Sequence, residues 1–390
     1  VAQGVSFLGS MMTYVALPYQ MFQLTRSSLH VGLLGVAELI PLLMTAFVGG
    51  ALADSVDRRR MVIVTDILLA LGSLSLTLMA AHGEPPVWAL YALAGFMSGM
   101  NGLQRPSIDA LMPRLVPRED LMAAAALGSA RGSFIMIVGP ALGGVLIAST
   151  GLAFTYAVDV VSYVLALVCI LKIRPVATPE GAERPTLESI REGFRYALSR
   201  QELVGTYVVD FVAMVFGMPM ALFPALSERL GGPSVLGLLY AAPAMGAFVA
   251  SVTSRWTRAV KRHGLAVTVA AAVWGVAIVI FGFCDRLYPA VFFLALAGGA
   301  DAVSGIFRST IWNQTIPDAL RGRLAGIEMV SYMSGPMLGH LEAGLVAAAT
   351  SVRTSVVSGG VLCVAGVLVC AVLLPKFIRY DADAFKRAQA

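Results

Sequence analysis

The sequence predicts an all-α polytopic membrane protein with twelve transmembrane helices in two pseudo-symmetric six-helix bundles. Three observations predict it. First, the 390 residues are 58% hydrophobic and only 13% charged, whereas a soluble globular chain carries about 25% charged residues. Second, breaking the chain at charged, proline and glycine-rich punctuation leaves twelve apolar segments, each near the roughly 20 residues that cross a bilayer core. Third, the basic residues alternate: with the N-terminus inside, 21 of the 28 Lys and Arg fall in inner loops, linker and tail, and four in outer loops. That asymmetry is the one expected of cytoplasmic loops. It places both termini inside, which requires an even number of spans.

The segments follow in order. Span one, 3–22, is already under way at Val1, so a few residues of it are expected to be missing. Span two, 31–53, stops at Asp54 and the Arg58–Arg60 run, and span three, 61–82, stops at Gly83 through Pro86. Span four, 87–112, ends before Pro113 and Arg114, and span five, 121–148, is divided from span six, 152–172, by Gly151. Residues 173–200 form the one long connection: a Pro-rich stretch, then Leu187, Ile190, Phe194 and Leu198 at helical spacing among Arg191, Arg195 and Arg200. That pattern reads as an amphipathic helix on the inner membrane surface. Spans seven to twelve are 201–226, 235–255, 264–283, 288–313, 326–349 and 353–375. The domain reading is therefore a first bundle at 1–172, a linker at 173–200, a second bundle at 201–375 and a cytoplasmic tail at 376–390.

The halves resemble each other. Gly139–Gly144 in span five reads GPALGG, and Gly335–His340 in span eleven reads GPMLGH. VGLL opens span two at Val31 and LGLL opens span eight at Leu236; RPS at Arg105 is matched by RST at Arg308. The offsets are 196, 205 and 203 residues. Parallel repeats of this kind mark many transporters.

Gly49–Arg60 reads GGALADSVDRRR. The glycines allow close helix approach, and Asp54 at the water boundary requires partners. The segment resembles the loop between spans two and three of the major facilitator superfamily, with Asp57 where that pattern has glycine and Ser55 where it has a basic residue. Gly50, Asp54, Arg58 and Asp109 are expected to form a cytoplasmic latch, with the start of span eleven near Gly326 lending its dipole to Asp54; Arg59 and Arg60 are read as topological anchors. Gly139, Pro140, Gly143 and Gly144 resemble the span-five motif of the proton-antiport exporters in that superfamily. GSMMTYVALPYQMFQLT, RPSIDALMPRLVPREDLMAAAAL and GPALGGVLIASTG resemble the exporter group containing the enterobactin exporter and macrolide efflux proteins. The resemblance implies a major facilitator fold and export of a drug, macrolide or siderophore-like molecule by proton antiport; a facilitator or lipid flippase of the same fold is the alternative.

Ionisable residues inside spans are functional candidates by default. The acids are Glu38, Asp66, Asp159, Asp210, Asp301 and Glu342; the bases are Arg131 and Arg308, with Arg105 nearer the cytoplasmic end. Glu38, Asp210, Asp159 and Glu342 are the proton-coupling candidates. Asp66 is expected to pair with an arginine; Asp301 and Arg308, seven apart on one face of span ten, form either a structural pair or a site. Arg131 needs an acid or an anionic substrate group. His340 is read as packed or hydrogen-bonded. Met214, Phe216, Met218 and Phe223 of span seven are candidates for lining a substrate cavity, since Met and aromatic side chains suit varied apolar ligands. No GxxxxGK[ST] loop and no HExxH occur, and Cys169, Cys284, Cys363 and Cys370 have no metal-site spacing. These absences argue against an ATP-driven pump and a membrane enzyme. The expected partners are a small molecule and the bilayer, with no nucleic acid and no cofactor beyond a proton gradient. The expected protein is a monomer in the cell membrane.

Overall fold

The computed structural model describes residues 2–55, 57–172, 187–317 and 320–381. Fifteen helices occur among them: α1 (Ala2–Thr25), α2 (Ser28–Ser55), α3 (Arg58–His82), α4 (Val87–Leu115), α5 (Leu121–Thr150), α6 (Leu152–Leu171), α7 (Leu187–Ser199), α8 (Gln201–Phe216), α9 (Phe223–Leu230), α10 (Pro233–Val252), α11 (His263–Gly282), α12 (Leu287–Thr315), α13 (Arg321–Ala349), α14 (Val352–Leu373) and α15 (Pro375–Ile378). Every expected span has its helix or helix pair.

Nine segments among the described residues are long and apolar enough to cross a membrane by length and composition. The other three membrane-length helices, α1, α4 and α13, have 24, 29 and 29 residues. They are more polar. Gln20 and Thr13 are buried in α1, Gln104 and Ser107 in α4, and α13 carries Glu328, His340 and Glu342. Helices that bury polar groups face protein or water on one side and dilute their apolar character.

Span seven departs from the expectation. It is not one helix: α8 ends at Gly217, a 3-10 turn covers Pro219–Leu222, and α9 begins at Phe223. Pro219 disfavours helical geometry at Met218. A broken helix is tolerated inside a membrane only where its freed backbone groups find protein partners. Here the Trp274 indole N–H donates to the Gly217 carbonyl at 2.8 Å.

Residues 187–199 are helical as expected, with Phe194 and Leu198 exposed. The helix is also tied down: Ala197 packs with Leu203 and Leu324, and the Tyr196 hydroxyl donates to the Thr315 carbonyl at 2.8 Å. The stretch after span twelve is docked rather than free at its start. Phe377 is fully buried, and its ring fills the space left by the missing side chain of Gly205. The Tyr380 hydroxyl donates to Gln314 at 2.9 Å; burial, then Glu202, pushes it up to about 12, so it stays a donor.

Two compact units emerge: 1–184 with 223–241, and 185–222 with 242–390. They differ from the sequence division at 223–241. The reason lies in local packing of the first unit. A Cβ on Gly144 of α5 would sit 2.5 Å from the Gly237 nitrogen, Arg26 pairs with Glu228 at 2.5 Å, and the Tyr14 ring meets Tyr240 edge-on at 5.5 Å.

Candidate functional site

The span-five motif is a packing surface. Gly139, Pro140, Gly143 and Gly144 are all buried. A Cβ on Gly139 would lie 2.5 Å from that of Met11, and one on Gly143 would lie 3.1 Å from the Met12 Cα. Its repeat partner packs in the same way in the second unit. A Cβ on Gly335 would lie 2.9 Å from that of Met214, and one on Gly339 would lie 2.5 Å from the Met214 carbonyl. Thus α5 sits on α1 as α13 sits on α8, with glycines meeting a methionine each time. Small residues of this kind let backbones approach without a hydrophobic driving force between them.

Asp159 is wholly buried on α6. Thr13 of α1 and Ser73 of α3 each donate to Oδ2 at 2.7 Å, and Ser162 lies 3.3 Å from Oδ1. The cage is closed by Gly9, where a Cβ would be 2.6 Å from Oδ1. Asp66 contradicts the expected arginine pairing: its carboxylate accepts from Gln104 at 2.6 Å, and Gln104 also reaches Thr65 at 3.0 Å. An amide satisfies a buried carboxylate without bringing a second charge out of water.

In the second unit, Arg308 of α12 is 8% exposed and serves two carboxylates. Its Nη1 contacts Asp210 of α8. Its Nη2 reaches Asp301 at 3.3 Å. The Asp301–Arg308 pair follows from their seven-residue spacing on one helix. The Asp210 pairing across helices does not, since sequence gives no register between α8 and α12.

Glu38, on α2 of the first unit, and Glu342, on α13 of the second, are half-buried and make no hydrogen bond or ion pair among the described residues. The same holds for Arg131, whose side chain runs along Gly4 of α1, where a Cβ would be 2.9 Å from its Cδ. Arg105 faces Asp109 one turn on at 3.9 Å, both 70% exposed. His340 is buried at Nε2 without a hydrogen-bond partner among the described residues.

The latch segment is described in part. Gly50 and Asp54 lie on helical backbone, outside the residues whose side chains are described. Arg58 opens α3, half-buried. Asp57, the departure from the family pattern, caps α3 by accepting from the Arg59 N–H at 2.9 Å. Arg59, read as an anchor, has a partner: its guanidinium donates to the carbonyls of Ile170 and Leu171 at 3.3 and 2.9 Å. Those are the last carbonyls of α6, which lack helical donors.

The span-seven candidates divide. Met214 is 5% exposed and Phe223 1% exposed. Both are packed, Met214 under the α13 glycines and Phe223 against Tyr240 at 5.0 Å. Phe216 and Met218 are half-buried beside the helix break. No group of three His, Cys, Asp or Glu among the described residues is placed to hold a metal.

Comparison with known proteins places this architecture. The enterobactin exporter EntS of Citrobacter koseri is 29% identical over 375 residues, covering 96% of this chain and 90% of that protein. EntS of Shigella boydii serotype 18 is 28% identical over 376 residues with the same coverage. Among solved structures, the bacterial homologue of the human lysosomal transporter Spinster matches with a TM-score of 0.75 at 14% identity, covering 98% of this chain and 97% of that one. The nucleoside transporter NupG matches with a TM-score of 0.73 at 12% identity, covering 99% and 97%. These proteins are transporters, and so is this multi-pass membrane chain, rather than an enzyme. The model of transmembrane secretion effectors matches residues 1–389. The chain therefore belongs to the transmembrane secretion effector family of the major facilitator superfamily.

Proposed function

We propose that the chain exports a small amphiphilic molecule of drug, macrolide or siderophore type across the cell membrane, by proton antiport and alternating access. The observation that carries the proton reading is the pair of carboxylates on one guanidinium. Asp210 and Asp301 share Arg308, and Glu328 of α13 acts on the same guanidinium, so negative charge exceeds positive in this cluster and proton uptake offsets it. A proton on Asp210 or Asp301 reduces that excess and releases one arm of Arg308. Like charges near one another favour proton uptake by one of them. Substrate and proton then compete for the same charge balance, as an antiporter requires.

The substrate reading rests on the exporters above, whose names make enterobactin the first molecule to assay. Arg131, half-buried with no acid beside it among the described residues, suits an anionic group on that substrate. The latch of Gly50, Asp54, Arg58 and Asp109 is the element that opening would break.

Efflux from inside-out or whole-cell preparations is the test. A protonophore should abolish accumulation against a gradient. Asp210→Asn should remove the pH dependence of transport while the protein still inserts. Proton-coupled efflux surviving in both Asp210→Asn and Asp301→Asn overturns the assignment of the cluster. Efflux indifferent to the protonophore in the parent chain overturns antiport itself and leaves a facilitator or flippase.

A further inference from the structure

The second unit holds an apolar groove that the charged cluster does not use. It encloses about 770 Å³ between α10, α11 and α12, within the roughly 300–1,000 Å³ range of ligand sites. Small residues line its base: Gly246, Ala250, Ala266 and Gly299. Here α10 and α12 are in backbone contact, since a Cβ on Gly246 would fall on the Ala295 carbonyl and one on Gly298 on Pro243. Larger side chains stand along the walls, with Val249, Val269 and Phe292 more than half exposed.

One end of this groove is chemically different. Trp256 and Arg262 line it there. Trp256 is 51% exposed and lies edge-on to Phe307 at 6.4 Å. It sits in a 3-10 turn, Ser254–Ala259, that buries none of its residues. Arg255, Arg258 and Arg262 are all exposed, and no acid occurs from Thr253 to His263. An acid stands on a neighbouring element: the backbone of Asp381 forms an isolated bridge with that of Arg262. An apolar trough ending in an amphipathic ring and the Arg262 guanidinium, with Arg255 and Arg258 on the adjoining turn, has the pattern of an acyl chain below a phosphate. Tryptophan favours the headgroup level, and arginine binds phosphate with two parallel hydrogen bonds. A zwitterionic lipid fills the trough equally well but sets its own cation against the arginines, and an apolar transport substrate has no use for them.

We propose that this groove retains an anionic phospholipid, one acyl chain lying along α10, α11 and α12 and the headgroup held by Arg262, with Arg255 and Arg258 of the adjoining turn adding to the local positive charge. The site is independent of the proton and substrate reading above. The test uses the full chain in phosphatidylcholine nanodiscs containing a fixed fraction of brominated lipid, and reads the share of tryptophan quenching that disappears in Trp256→Phe. Brominated phosphatidylglycerol should quench Trp256 at about one-fifth the mole fraction that brominated phosphatidylcholine needs, the preference that a single well-placed cation supplies. Replacing Arg255, Arg258 and Arg262 by Gln should equalise the two lipids. Ala250→Phe, which keeps the cations and fills the trough, should lower quenching by both lipids. Equal quenching by the two lipids in the parent chain overturns the proposal and leaves bulk bilayer in the groove. Persistence of the preference in the Gln variant, or undiminished quenching in Ala250→Phe, overturns the assigned residues.

Discussion

At the scale of single residues, Asp159 and Gly144 show what holds the first unit together. Three hydroxyls converge on Asp159, which thereby ties α1, α3 and α6 at one point. Asp159→Ala strands the Thr13 and Ser73 hydroxyls, while that of Ser162 keeps the Asp159 backbone carbonyl at 2.7 Å, and an unsatisfied buried group costs about 1–3 kcal/mol. The variant should melt well below the parent in a thermal shift assay. Asp159→Asn keeps an oxygen acceptor, so it should lose less than half as much; equal losses for the two would mean the charge, not the acceptor, matters. Gly144→Val has no room to relax, since backbone atoms of α10 lie against the missing side chain. Overpacking of this kind costs about 1–3 kcal/mol or more, and monodisperse yield on size-exclusion chromatography should fall sharply. Gly128→Ala on the same helix meets nothing within 4 Å and should leave yield unchanged.

At the scale of elements, what the sequence made legible was what periodicity and punctuation encode. Gly151 divides α5 from α6 with a positive φ of 88° that only glycine adopts readily, and so it was readable as a boundary. The amphipathic helix was readable from Leu187, Ile190, Phe194 and Leu198. The break in span seven was less so, because Gly217 and Pro219 stand inside an otherwise unbroken apolar run, and the bond that stabilises the break comes from Trp274, 57 residues away. Long-range partners are the common cause of what was missed. Asp66 found Gln104, Asp210 found Arg308, and Arg59 found the end of α6, and none of these pairings leaves a local pattern. Arg59→Ala should therefore act as loss of a helix cap, about 1 kcal/mol, whereas Arg60, 80% exposed at its side chain, should tolerate alanine with a melting temperature within error of the parent.

At the scale of the molecule, the twelve-segment plan and the repeat were both in the sequence, since bilayer thickness and loop charge leave marks on composition itself. What pairs of halves cannot reveal is which buried acids share a partner, because that depends on contacts assembled in three dimensions. The efflux assay belongs here: a protonophore acts on the whole cycle, and Asp210→Asn on one balance within it. The clamp of Arg59 on Ile170 and Leu171 has a practical corollary. The chain departs the first bundle from a riveted exit, so a fluorescent protein spliced in downstream of position 175 should leave the preceding helices in register, whereas the same cargo spliced in before Ile170 should pry the rivet loose and report as aggregated fluorescence.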